Sequence, residues 1–340
     1  MIDSRHPVRA VNVQCIMNSG LIMSSLRDRS GFADFYAAPR LTLKAAIGCV
    51  GRGLHGGTDV RLNLRPAAAG TGIVFHRTDL GVSIPARYDF VTDTRLCTVV
   101  SLPGRPEARV GTIEHLMAAL AARRIDDLVI EVDAPELPIL DGSAAPFLFL
   151  IESAGIAEHG GARETLEVLR PVRVAQGKAF AELRPSQGAA GLDLSLAIEF
   201  DSAAIGRQAL SLHLTPENFG RELAAARTFT MAAEIEGLRL AGLAKGGSLA
   251  NAIVVDGNKV MNPEGLRWPD EFVRHKMLDV VGDLALAGAA ISGRFVGHRT
   301  GHALNNLLLR DLFSDAANYQ ITRAPMAGAP MHMSAAAAPA

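Results

Sequence analysis

His275, Asp279 and Asp283 recur at intervals of four within Asp270-Glu271-Phe272-Val273-Arg274-His275-Lys276-Met277-Leu278-Asp279-Val280-Val281-Gly282-Asp283-Leu284. Residues four apart in a helix stand one turn above another on a single face. An imidazole and a carboxylate so placed could grip one cation, with Asp283 a turn further along. Phe272, Val273, Met277, Leu278, Val280, Val281 and Leu284 would pack into a core. A polar stripe on such a helix is costly to bury unless a partner or a metal satisfies it. An ordinary surface ion pair has the same spacing, so the stripe alone leaves both readings open.

Two further segments carry complementary groups. Gly111-Thr112-Ile113-Glu114-His115 sets an acid beside an imidazole at the start of an Ala/Leu-rich helical run. Gly297-His298-Arg299-Thr300-Gly301-His302 places a histidine between glycine-rich backbone and a Leu-rich helix. Each histidine taken singly reads as structural; together they are the parts of a hydrolytic zinc site. Catalytic zinc takes three ligands from His and carboxylate, keeps a fourth position for water, and lowers that water's pKa to roughly 7. His115, His275 and Asp279 would make such a set. Glu114 could then accept a proton from the water as general base. His302, as imidazolium, could stabilise an oxyanion and protonate a leaving amine, while Asp283 accepts its hydrogen bond and keeps it charged. A non-haem iron oxygenase uses the same two-His, one-carboxylate set, but would leave Glu114 and His302 without a task.

The elements that must position these groups read as strands followed by helices. Strand-like runs cover 41–49, 60–64, 72–76 and 129–132, with a glycine loop at 51–57 and a helix at 144–155 that Ser143 would cap. A break at His159-Gly160-Gly161 reads as a linker. The pattern then restarts with strands at 166–174, 179–183 and 192–200 and a helix at 216–225. Strands then helix, seen twice, predict two α+β units.

The chain resembles the UDP-3-O-acyl-N-acetylglucosamine deacetylases, zinc hydrolases of lipid A biosynthesis in Gram-negative bacteria. The resemblance rests on Thr112-Ile113-Glu114-His115-Leu116, Glu136-Leu137-Pro138-Ile139-Leu140-Asp141-Gly142-Ser143, Ala226-Arg227-Thr228-Phe229, Gly246-Gly247-Ser248, the Glu271 to Asp279 stretch and Gly301-His302-Ala303-Leu304-Asn305. These occur in order between residues 41 and 312. The resemblance implies an α+β fold of two similar domains, each a helix layer on a β-sheet, with the active site between them. It divides the chain into an N-terminal extension at 1–40, a first domain at 41–160, a second at 161–320 and a flexible tail at 321–340. It also implies hydrolysis of the N-acetyl group of UDP-3-O-(3-hydroxyacyl)-N-acetylglucosamine, giving acetate.

Carried onto this chain, the resemblance makes His115, His275 and Asp279 the ligands of zinc, with ferrous iron as the alternative metal. Glu114 is then the base, His302 the cationic acid and Asp283 its support. Thr228 would bind the oxyanion, although a strand-end hydroxyl bonded to backbone is the plainer reading. Phe200 would lie near the uracil or simply pack in the core. Lys276 and Arg299 would meet the diphosphate or stand as solvated cations, and Glu234 would contact the nucleotide. Residues 232–260, with Gly247, would form the acyl passage, Phe229 its entrance, and Leu54 and His55 the border of the site. Each buried CH₂ of an acyl chain is worth about 0.8 kcal/mol. The family often carries an aromatic where this chain has Met231, and a softer side chain puts acyl-length preference in question. A non-catalytic acyl-nucleotide binding protein is the competing class, and the complete base and acid argue against it.

Composition narrows the setting. Of 340 residues, 49% are hydrophobic and 20% charged, which suits a folded globular chain. The formal net charge is −1 and no Lys/Arg run is sustained, so nucleic acid is not an expected partner. Cys15, Cys49 and Cys97 lack C-x-x-C spacing, which argues for a reducing compartment rather than a disulfide framework. No apolar run is long enough to span a bilayer, and polar residues interrupt 11–26 where a signal peptide would need continuity. A cytoplasmic monomer is expected. Residues before 41 read as an upstream addition with Met17 or Met23 as an internal start.

Overall fold

The computed structural model describes residues 38–188 and 190–323. It is a mixed α+β protein. Pro39–Leu43 (β1) leads to Ile47–Arg52 (β2), Asp59–Pro66 (β3), Ile73–Arg77 (β4) and Val82–Pro85 (β5). A side sheet of Val91–Asp93 (β6), Val99–Leu102 (β7) and Arg105–Val110 (β8) precedes the helix Glu114–Ala122 (α1) and the strand Leu128–Val132 (β9). The first main sheet has the order β2-β3-β9-β4-β5, with only β4 and β9 parallel. Along β3, Val60, Leu62 and Leu64 are buried and their neighbours are not, the period of two expected when one sheet face covers a core. Ala145–Ala154 (α2) and Ile156–Ala162 (β10) follow. Ser143 Oγ accepts the N–H of Ala145 at 3.2 Å, but the N-cap position is Ala144 and carries no side-chain cap, so the expected Ser143 cap is corrected.

The second half opens with Glu164–Val168 (β11), Val172–Gln176 (β12), Ala179–Arg184 (β13), Leu192–Glu199 (β14) and Arg207–His213 (β15). A helical turn, Pro216–Asn218 (α3), runs into a π-turn at Phe219–Leu223. Phe229–Met231 (β16), Ala232–Leu240 (α4), Ile253–Asp256 (β17) and Lys259–Val260 (β18) form a separate small layer. Then come Glu271–Leu284 (α5), Ala290–His298 (β19), His302–Ser314 (α6) and Tyr319–Arg323 (β20). The seven-stranded second sheet centres on β19, which pairs with β11, β13 and β14. Its helix α5 is buried on almost every side, Glu271, His275, Asp279 and Asp283 included.

Several sequence expectations are corrected. The run at 41–49 is two strands, because Lys44, Ala45 and Ala46 bend the chain from β1, which pairs with β10, to β2, which pairs with β3. The run at 166–174 also divides; Pro171 has no N–H to give a ladder and separates β11 from β12. His159-Gly160-Gly161, read as a linker, lies inside β10. Ile321, Thr322 and Arg323, assigned to the tail, pair with β11. Likewise Pro39 and Arg40, assigned to the extension, belong to β1. The remaining tail and extension, with Cys15, Met17 and Met23, lie outside the described residues. Among the described residues no helix is long and apolar enough to cross a membrane.

Candidate active site

Helix α1 packs on α5, and a glycine permits the approach. A Cβ on Gly282 would lie 2.0 Å from the carbonyl oxygen of Glu114, so any side chain there would force the two backbones apart. This contact sets the Glu114-His115 pair opposite His275, Asp279 and Asp283. Thr112, just ahead of α1, holds a left-handed φ of 56°, a conformation costly for a β-branched residue.

His115, His275 and Asp279 offer nitrogen and oxygen atoms all within 4.8 Å of one another. Asp279 Oδ1 lies 3.4 Å from His275 Nε2 and 3.8 Å from His115 Nε2. His275 Nδ1 donates to the carbonyl of Ala226 at 3.0 Å, which leaves the Nε2 lone pair for a ligand. Asp279 Oδ2 accepts from Lys276 Nζ at 2.7 Å, whereas the buried Oδ1 has no hydrogen-bond partner among the described residues. Burial would raise the Asp279 pKa, but Lys276 and His275 outweigh it and hold the carboxyl well below its ordinary value. Burial pushes the His115 imidazole down to about 3, so it is neutral. Neutral imidazoles, an ionised carboxylate and an orphaned buried oxygen facing them fit a divalent cation.

Two further groups are both shifted upward, from different causes. Burial pushes Glu114 up to about 7, against the pull of His302 and with help from Asp279 and Asp283. Its Oε2 accepts the Thr98 N–H at 3.0 Å. Burial opposes charge on His302, but Asp283 lifts its pKa to about 9. His302 Nδ1 donates to Asp283 Oδ2 at 2.9 Å. Asp283 also accepts from Thr98 Oγ1 at 2.6 Å and Asn305 Nδ2 at 2.8 Å, and Thr300 Oγ1 donates to Asn305 Oδ1 at 2.7 Å. With Nδ1 engaged, Nε2 is the ring nitrogen left for chemistry.

A cavity of about 530 Å³ brings together Glu114, His115, His275, Asp279 and His302 with Thr228, Phe229, Phe200, Glu234, Lys276, Arg299 and Leu54. Asp283 stands behind His302 rather than on the wall. Among the described residues Thr228 Oγ1 has no hydrogen-bond partner; only its backbone is engaged, with Gly142 and Ile253, so the strand-end reading of its hydroxyl is set aside. Phe229 meets Phe200 edge-on at 5.5 Å, Phe272 at 5.0 Å and the His275 ring at 6.2 Å. Arg299 sits 3.8 Å from Glu199 and is half exposed. Lys276 reaches the cavity but is tied to Asp279, so a solvated cation does not describe it.

A second cavity of about 410 Å³ shares Leu54, Leu96, Thr228, Phe229 and Thr230 with the first and continues beneath the small β16-β17-β18 layer. Ile235, Leu238, Gly247, Leu249, Ala252, Val254 and Met261 line it. Sequence reasoning missed Thr98, Asn305, Gly282 and the Ala226 carbonyl. Only Asn305 had a signal, as an amide on an otherwise apolar helix face three residues after His302. The fully buried Glu271 was quoted in a motif without a task; it holds Arg227 at 2.9 Å beneath the His275 turn.

A family profile described as UDP-3-O-acyl N-acetylglycosamine deacetylase matches residues 40–314. A UDP-3-O-acyl-N-acetylglucosamine deacetylase of Myxococcus xanthus is 48% identical over 285 residues, covering 83% of this chain and 89% of that protein. Proteins of the same name from Shewanella frigidimarina and Shewanella sediminis are 46% and 45% identical. These alignments cover 82% and 86% of this chain, and 91% and 95% of the respective relatives.

Proposed function

The chain belongs to the UDP-3-O-acyl N-acetylglycosamine deacetylase family, and from that premise we propose how its residues perform the reaction. The protein hydrolyses the N-acetyl amide of a UDP-3-O-(3-hydroxyacyl)-N-acetylglucosamine, a step of lipid A biosynthesis. The carrying observation is that Glu114 and His302 share one cavity with the His115/His275/Asp279 cluster. These three ligands suit zinc, which supplies Lewis acidity toward water and the amide carbonyl; ferrous iron would suit the same donors.

Glu114, ionised, takes a proton from the attacking water as the new C–O bond forms. Thr228 Oγ1, with no partner among the described residues to hold it, donates to the oxyanion that develops; such a donor is typically worth about 10²–10³ in rate. The C–N bond then breaks as His302 gives its Nε2 proton to the leaving amine, and acetate is released. Asp283 favours the charged form of His302 before that transfer. Glu114 and His115 come from residues 41–160 and the remaining groups from 161–320, which supports a site between two α+β domains.

Phe200 would face the uracil, Arg299, Lys276 and Glu234 the nucleotide's polar groups, and the 410 Å³ cavity the acyl chain. Leu54 and Phe229 line both cavities and Gly247 the acyl one. The free thiols Cys49 and Cys97 fit a reducing cytoplasm. The test is acetate release from the acylated UDP-sugar by as-purified, chelated and metal-restored protein. Loss on chelation and recovery with zinc supports the reading; recovery with ferrous iron alone would replace the metal; no release from folded, zinc-loaded protein would overturn it.

A further inference from the structure

Thr98 joins the two groups of the proposed acid–base chemistry, although it stands outside the cavity in which they act. It is 1% exposed, immediately precedes β7, and is not among the residues lining the reaction cavity. Pairing of β7 with β8 sets Val100 opposite Val110, and α1 begins shortly after β8 ends. Thr98 is thereby laid against the Glu114 side chain. Its backbone N–H donates to Glu114 Oε2 at 3.0 Å, and its hydroxyl donates to Asp283 Oδ1 at 2.6 Å. Among the described residues it alone hydrogen-bonds to both carboxylates. The two bonds reach facing helices, since Glu114 lies on α1 and Asp283 on α5.

Each bond removes a different freedom. On the base, the N–H engages Oε2, so Oε1 is the oxygen left for the attacking water. Asp283 would otherwise be held through one oxygen, because His302 Nδ1 and Asn305 Nδ2 both donate to Oδ2, at 2.9 and 2.8 Å. A carboxylate held that way can still swing its plane about the bonded oxygen. The Thr98 hydroxyl pins Oδ1 and fixes the plane. A hydrogen bond to an sp² oxygen lies near that plane, so the His302 ring is fixed with it.

We propose that Thr98 is a positioning residue for the hydrolysis: its hydroxyl aims His302 through Asp283 while its N–H aims Glu114. Base and acid are thereby set on one amide together. The proposal rests on the deacetylase reading, and Thr98 acts through its two partners rather than by touching substrate.

The test compares Thr98→Val, which keeps the N–H and loses the hydroxyl, with Thr98→Ser, which keeps both, in zinc-loaded protein. Thr98→Val is expected to lower kcat about 10- to 100-fold, as loss of a group that orients an active-site side chain does. KM and zinc content should stay at the wild-type values. Thr98→Ser should restore most of the lost kcat. In an Asp283→Ala background, Thr98→Val should cost less than about twofold more, because the carboxylate through which the hydroxyl acts is already gone. Should Thr98→Val not fold, Thr98→Cys carries the same test with a smaller fall in kcat, since a thiol is a weaker donor. The positioning role alone is overturned by any of four results: an unchanged kcat in the folded variant, a loss confined to KM, a Thr98→Ser as slow as Thr98→Val, or the full loss repeated without Asp283. A wild type that releases no acetate would overturn it together with the deacetylase reading.

Discussion

At the residue scale, the proposed mechanism depends on two titratable groups that are both shifted upward. Burial lifts Glu114 to about 7 and Asp283 lifts His302 to about 9, so a base and a charged acid coexist near neutral pH. Glu114→Ala should retain bound zinc, measured by metal content, and lose about 10²–10⁴ in turnover. In the proposed mechanism His302 is the proton donor, competent below its pKa, so the rate should fall as pH rises through about 9. Asp283→Asn removes the charge that supports the imidazolium. The alkaline limb of the pH–rate profile should then move to lower pH; an unmoved limb would assign that limb to another group. Glu114 and His302 were legible in sequence because an acid next to a histidine, and a histidine at a glycine–helix junction, are types and positions. Thr98 was not, because a threonine between Cys97 and Val99 carries no mark of the carboxylates it will hold.

At the element scale, the crossing of α1 and α5 is what turns separate motifs into one site. The spacing of His275, Asp279 and Asp283 predicts the helix and its polar stripe, and α5 runs over Glu271–Leu284 as expected. Periodicity does not reveal which element faces that stripe. Gly282 settles that at the backbone, with no room between its Cα and the Glu114 carbonyl. Gly282→Ala should cost about 1–3 kcal/mol in denaturant unfolding. Turnover should fall with it, since relief of the clash moves the base. A variant as stable and active as the wild type would mean that the crossing adjusts freely. The strands at 41–49 and 166–174 were misjudged for a related reason: apolar content marked both runs, but their division depends on which partner strand each half pairs with.

At the scale of the whole molecule, the metal cluster draws on both halves of the chain, His115 from one and His275 and Asp279 from the other. A cation bound there links α1 to α5 and binds only the folded state. Zinc at about 100 times its Kd should therefore stabilise the protein by about 2.7 kcal/mol. A rise in Tm should follow in calorimetry, and His275→Ala should abolish it. An equal rise in that variant would place the stabilising metal elsewhere.

The sequence by itself determined the chemistry on offer: the ligand types, the acid–base pair, the helical spacing of the stripe and the order of motifs that marks the family. Those are local properties, readable from residue type and period. Only the tertiary structure decided that Asp279 Oδ1 is left without a hydrogen bond among the described residues, that Thr98 ties Glu114 to Asp283, that Gly282 seats one helix on another, and that a further cavity adjoins the reaction chamber. Each of these depends on atoms brought together from distant parts of the chain, where burial and close packing, rather than sequence spacing, set the distances and the charges.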